Sequence, residues 1–566
     1  MRRHRPRFYN TALLVSLAVA CLAQQRKAAA IDYPPGLPFT WLFDTGAVSD
    51  EPFSADALVK KAAWTKVPEN HLKHAFRGDA VIVNDKLAVL LRVKGRGAEV
   101  YAQAEGGWRS RAALAALPSG ATALTSLISL RAVENSPAAV RVEATFATQG
   151  GAGRAGVSFR LTAGQNLVEM IPGEAADRLF VWCRPAYVVV PDFFADDMVF
   201  GPESIRPPRM GLPAENALLH LLRGGDGMIM CLWRGGGRQT AAIATARRQP
   251  RVIEGCEIAG AEGQSLWIGF FEGRGLWHDA PWAGDEETGE LSLPWKPPFA
   301  ARWRADLVAA DGTAESWNLA ATAGGPAADR NCPCRTENDR TVIRRPSFQG
   351  KPRTLVVYPL DRDRATPLAV YCPTDAIRNT LGVGPCQYIL QTEGLATETN
   401  PTPDQVMTWV ETQFERKRDK ESIGEIRALL AAMVELVGRT QARIEQYAGF
   451  AGRAAPMVAS DAALRETIHR LARVAAASPK AAEPRREARR LADEVAALAG
   501  KDGAAADCRR LGEELRRLGA EQDRTLSRCR MLVRWLQEQA AMRAEEGNDE
   551  NAARLWAEAA RLLERK

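Results

Sequence analysis

The apolar residues of this chain change period once, and that change limits what the chain can fold into. Before about residue 325 they alternate. In "AVRVEATFA", Val140, Val142, Ala144 and Phe146 share one face opposite Arg141, Glu143 and Thr145, which is the period of a half-buried strand. After Asn400 they recur every three or four positions, as in Ile426, Leu429, Met433, Val437, Thr440, Ile444 and Tyr447, which is one face of a helix. The two patterns predict a multidomain, β-then-α protein. A large antiparallel β-sandwich precedes an antiparallel helical bundle.

Within the first region, "AVRVEATFA" and "VSFRLT" flank the turn-forming "TQGGAGRAG" and predict a hairpin with one buried face. "AVIVNDKLAVLLRV", with Asn84-Asp85 between apolar runs, predicts a second. Further short strands are expected in "RLFVWC", "AYVVV", "GMIMCLW" and "SLWIGFF". In the second region Thr402, Pro403 and Gln405 predict one helix start, and a Ser422/Glu425 capping box a second. Breaks are expected near Ser478-Pro479, Gly500 and Gly547. "EEGNDENAARLWAEAARLLE" faintly resembles half of a tetratricopeptide unit, but one partial match makes no array. The expected division is a leader over 1–30, a sandwich over 31–325, a cysteine-containing junction over 326–400 and a helical bundle over 401–566.

The first thirty residues combine Arg2, Arg3, Arg5 and Arg7 with an apolar run from Ala12 to Ala23 and small residues at Ala28 to Ala30, the layout of a secretory signal peptide. Cleavage after Ala23 or Ala30 competes with lipidation at Cys21 in "LAVAC", the one route to membrane attachment; an uncleaved anchor is disfavoured by the short apolar run. The leader holds six of the net +7 charges, leaving +1 for a chain beginning at Ile31. That balance gives no bulk attraction to nucleic acid. The expected location is therefore periplasmic, cell-envelope or extracellular.

The segment "NDKLAVLLRVKGRGAEVYAQAEGGW" resembles the opening hairpins of galactose-mutarotase-like super-sandwich domains. The resemblance implies a super-sandwich fold, common in carbohydrate-active and carbohydrate-binding proteins, and no catalytic histidine pair carries over with it. "LGVGPC", at Leu381 to Cys386, reads as a helix C-cap at Gly382 followed by a rigid turn. That segment, and with it most of the chain, is similar to uncharacterised secreted proteins of planctomycete-type bacteria, a resemblance that implies no function.

Cys183, Cys231 and Cys256 lie in apolar strand patterns and read as buried, unpaired thiols. A helical hairpin turning at Leu518-Gly519 would set Cys508 opposite Cys529 and allow a disulfide. Cys332 and Cys334 are expected to pair with Cys372 and Cys386 across the junction. The alternatives are free or mixed thiol states and, as the lesser one, a zinc site from these four thiols, because paired CxxC knuckles are absent.

The best catalytic candidates follow the strand "YVVV": Asp192, Asp196, Asp197 and Glu203, with His220 and His278 as potential bases. The same carboxylates could hold Ca²⁺; otherwise no cofactor is expected. His71 and His74 have helical metal spacing without the glutamate of a zincin motif. Of the tryptophans crowded between Trp267 and Trp317, most are expected in the core, while Trp277 and Trp282, with Asp279, are candidates for a glycan groove. The sequence favours an exported binding or scaffolding protein that recognises a polysaccharide or envelope component through the sandwich and protein partners through the helices. The alternatives are a carbohydrate-active lyase, epimerase or hydrolase using residues 192–203, and a purely structural scaffold.

Overall fold

The computed structural model describes residues 38–564 except 50, 150–152, 192–196, 206, 235–237, 239, 245–250, 261, 283–289, 309–313, 323–324, 328–333, 338, 345–352, 363–370, 385–402, 416–419, 479–481 and 548. Two large antiparallel sheets form the first part. The nine-stranded sheet runs in the order Met198–Phe200, Pro185–Val190, Ala217–Leu222, Gly227–Trp233, Leu266–Glu272, Leu167–Pro172, Arg154–Thr162, Ala139–Gln149, Ala123–Asn135. The ten-stranded sheet includes Ala80–Asn84, Leu87–Leu91, Gly107–Leu117, Arg178–Trp182 and Ile253–Ala259. Inward residues of both sheets, among them Val142, Phe159, Val181, Ile229, Trp233 and Ile258, merge into one buried core, as alternation requires when one face of each sheet is covered.

Both expected hairpins form. Val142 sits opposite Phe159, and Val83 opposite Ala88. At the second turn the buried Asn84 side chain accepts from the amides of Lys86 (2.9 Å) and Leu87 (2.6 Å). Its Nδ2 donates to the carbonyls of Thr162 (2.8 Å) and Gln165 (2.7 Å), so one side chain closes the turn and ties it to the other sheet.

Strand structure does not stop near residue 325. Arg353–Arg362 pairs with both His278–Trp282 and Ala301–Val308 in a five-stranded sheet, and Glu290–Leu293, Arg340–Arg344 and Cys334–Glu337 form a three-stranded one. These pairings join segments far apart in sequence, which local alternation cannot reveal. The helix Pro373–Leu381 follows, closed by Gly382 at φ +80°, whose amide donates to Arg378 O (2.9 Å). Gly382 is thus the expected C-cap.

The helical part comprises Pro403–Phe414, Lys420–Ala454, Ala462–Ala477, Glu483–Leu498, Ala505–Gly547 and Glu550–Glu564. Breaks fall at the three expected places. Thr402 lies outside the described residues, and Ser422 lies inside a helix that begins at Lys420, so it is not an N-cap. Gly519 does not turn the chain either; the helix Ala505–Gly547 runs through it. A Cβ on Gly519 would stand 2.6 Å from Pro403 Cγ, and one on Gly512 2.5 Å from Glu411 Oε1 and 2.9 Å from Met407 Cε. These glycines, seven positions apart on one helix face, admit the helix Pro403–Phe414 at close range. Cys508 and Cys529 are consequently about 31 Å apart along one helix, and the expected disulfide between them cannot form.

The same long helix docks on the sandwich. Met531 joins the sandwich core, the Trp535 ring lies 5.6 Å from that of Phe200, and Arg530 Nε is 3.3 Å from Glu215 Oε1.

Candidate functional site

Among the described residues, those expected to act together are scattered. Asp192 and Asp196 lie outside the described residues, and Glu203 is exposed on a short turn. Asp197 is buried, where it accepts a hydrogen bond from Tyr358 Oη. Tyr358 Oη also lies 2.5 Å from Asp306 Oδ2, while Arg304 reaches Asp306 (3.2 Å) and Asp197 (3.7 Å). Burial, and then the charges of Asp197 and Asp306, push the Tyr358 phenol well up, so it stays protonated. This enclosed network corrects the expectation that Asp197 is a solvent-facing acid or a Ca²⁺ ligand: its carboxylate is committed to interior donors.

The histidines also separate. His220 is fully buried between the two large sheets, beside Cys231 and Cys256, which excludes a role as base toward a solvent-borne substrate. His278 is half-buried with its ring stacked on Trp295 at 6.1 Å, and burial lowers its pKa against the opposing pull of Asp279. Asp279 accepts from Tyr187 Oη (2.8 Å). His71 and His74 lie in turns, with His74 Nε2 2.9 Å from Asp44 Oδ2, and share no helix.

The aromatic candidates are covered too. Trp277 and Trp282 are buried, and Trp277 Nε1 donates to Leu222 O (2.8 Å). Neither offers the open indole face that stacking on a sugar needs, because each packs into a core cluster. Cys332 and Cys386 lie outside the described residues, and Cys334 opens a strand. Cys372 is a buried free thiol, pushed up to about 12 chiefly by burial, at the start of the helix Pro373–Leu381. The expected staple through Cys372 is therefore not formed.

What the surface does offer is a polar cleft on the outer face of the nine-stranded sheet, with a volume of about 820 Å³. Strand alternation builds it: the residues between the core positions of Ala139–Gln149 and Arg154–Thr162 point outward, bringing Arg141, Glu143, Arg154 and Ser158 to the walls. Glycines bare its floor. Gly173 N donates to Gly156 O (2.9 Å) and Gly156 N to Glu174 O (3.3 Å), and a Cβ on Gly173 would crowd Gly156 O at 3.2 Å. Arg141 Nη2 donates to Ser158 Oγ (3.3 Å) and lies 3.7 Å from Glu143. Arg154, Glu174 and Glu262 have no ion pair among the described residues. Charged and hydroxyl groups share this lining with apolar patches from Val157, Ile171 and Pro172, a mixture that suits a hydroxyl-rich ligand with apolar ring faces.

No family model matches the chain, and no curated protein matches it. Among solved structures it is similar to a glycoside hydrolase family 81 protein from Clostridium thermocellum, with 10% identity and a TM-score of 0.23 over 90% of this chain and 73% of that one. It is also similar to an α-galactosidase from Lactobacillus brevis, with 9% identity and a TM-score of 0.17 over 31% of this chain and 29% of the other. Neither likeness is large enough to carry fold or activity to this chain.

The apolar half of "AVRVEATFA" marks the hairpin but not the cleft that the same hairpin bears on its other face. The signal of the cleft is the polar half of the same alternation, Arg141, Glu143 and Thr145, with Gly156 and Gly173 farther along the chain.

Proposed function

We propose that the protein is an exported envelope or periplasmic binding protein that holds a polysaccharide in the cleft of its nine-stranded sheet, while its helices meet a protein partner. The observation that supports this most is the cleft itself: charged and hydroxyl side chains over a glycine floor, open to solvent and large enough for a few sugar rings. The dispersal of Asp197, Glu203, His220 and His278 favours binding over catalysis, since hydrolysis or elimination needs acid and base within reach of one bond. The amino-terminal leader supports export, and the exposed Trp556 on the helix Glu550–Glu564 is a contact point for a protein partner.

The test is retention of the full mature protein on a panel of polysaccharides that includes envelope glycans, with released or altered sugar measured in the same wells. Gly156→Trp supplies the control, because a Cβ there meets nothing closer than 3.7 Å and the indole would fill the cleft. Retention by the natural protein without product, lost in Gly156→Trp at an unchanged melting temperature, is the expected result. Product formation would replace the binding reading with an enzymatic one, and retention that survives Gly156→Trp would move the ligand elsewhere.

A further inference from the structure

His220, Cys231 and Cys256 meet across the two layers of the sandwich. His220 and Cys231 stand on adjacent strands of the nine-stranded sheet, where Leu218 pairs with Cys231 and His220 with Ile229. Cys256 reaches from the ten-stranded sheet. A ring nitrogen and two Sγ atoms lie within 4.8 Å of one another, and all three residues are completely buried.

The imidazole is the informative member. Its Nδ1 is 3.3 Å from Ile229 O, the position of a donated Nδ1–H bond, which leaves the lone pair on Nε2. Among the described residues that Nε2 makes no hydrogen bond of ordinary geometry, and the group that interacts with the ring is the Cys256 thiol. Buried polar atoms are rarely left so, and a histidine held from behind by a carbonyl with its other nitrogen facing thiols is arranged as metal-binding histidines are. A disulfide between Cys231 and Cys256 would leave the same nitrogen unsatisfied.

We propose that His220 Nε2, Cys231 Sγ and Cys256 Sγ bind a zinc ion that braces the two sheets from within. Nitrogen and sulfur donors select zinc over calcium or magnesium, which take oxygen ligands. Zinc bonds of ~2.0–2.3 Å place tetrahedral ligand atoms ~3.5–3.8 Å apart, so small side-chain rotations close the set around an ion. Both thiols lose their protons to solvent on binding, and the two thiolate charges balance the dication. Cys183 is the candidate fourth ligand. It stands two residues beyond Val181, the cross-strand partner of Cys256, its amide donates to Glu254 O (3.1 Å), and it lines a cleft of about 610 Å³ with Trp182, Arg184 and Glu254. That cleft supplies an entry path. The inference is independent of glycan binding on the opposite face of the sheet.

The full chain, purified under reducing conditions without chelator, is assayed for zinc by mass spectrometry, then stripped and reloaded with Co²⁺. The expected result is about one zinc per chain, sulfur-to-cobalt charge-transfer absorption with the visible bands of a tetrahedral site, and a melting temperature raised by added zinc. His220→Gln and Cys256→Ser should each weaken metal binding by more than about tenfold, whereas Cys372→Ser, outside the cluster, should retain the bands. Substitutions in a buried core also disturb folding, so the natural protein decides the matter. Absence of zinc and of cobalt–thiolate absorption in it would overturn the proposal, whether alkylation then finds Cys231 and Cys256 as thiols or peptide mapping finds them joined.

Discussion

The sandwich and the helical region handle charge in opposite ways. The strand-built part encloses its most heavily engaged ions: Asp197, Arg304, Asp306 and Tyr358 are all at most 4% exposed and satisfy one another. Many helical ion pairs lie in water, such as Glu435 with Arg485 and Glu487 with Arg490. Enclosed charges must keep every partner, because desolvation is recovered only through the complete network. Solvated pairs can lose a member at little cost. Stability in the first region therefore depends on particular polar residues, and in the second on packing.

The sharpest test of that contrast is Arg304→Met, which removes the cation facing two buried carboxylates. Loss of ~3–5 kcal/mol is expected from urea unfolding; a loss under ~1 kcal/mol would put this network on a par with surface pairs.

Asp523 breaks the pattern, being a buried acid in the middle of the helix Ala505–Gly547 that burial pushes up to about 7. An acid raised in the folded state keeps its proton there while the unfolded chain has lost it, so the contribution of Asp523 to stability is full below about pH 4 and falls away as pH rises toward 7. Asp523→Asn should remove up to ~4 kcal/mol of that fall, visible as a flatter melting temperature between pH 4 and 7. An unchanged slope would show that Asp523 is solvated in the folded protein.

Packing in the helical region is probed by Gly519→Leu. The side chain would collide with Pro403, and a cost of ~1–3 kcal/mol is expected. Hydrogen exchange should localise the loss to the helices 403–414 and 505–547 and spare the strands. At the other extreme, Arg485→Ala should leave the unfolding midpoint where it was; a measurable shift would mean that the exposed pairs act as a network.

Legibility differed between the regions for related reasons. The hairpins around Asn84 and residues 148–154 could be read directly, because a period of two and a turn signal are local features. The helix breaks near residues 478, 500 and 547 were equally local. Gly519 misled because a glycine needed for a close helix crossing looks the same in sequence as one needed for a turn. Trp277, Trp282 and Asp197 misled because polar, turn-rich surroundings suggested solvent, whereas long-range strand pairing covered all three.

The sequence by itself determined the order of β and α regions, most strand segments, the helix breaks and the cap at Gly382, since each depends on neighbours within a few residues. Only the tertiary structure decided that strands continue to Arg362, that Cys508 and Cys529 share one helix, and that Arg141 and Ser158 wall a cleft. It also brought His220, Cys231 and Cys256 together from two sheets. Those outcomes are set by which distant strands pair and how closely helices approach, and neither leaves a periodic mark on the local chain.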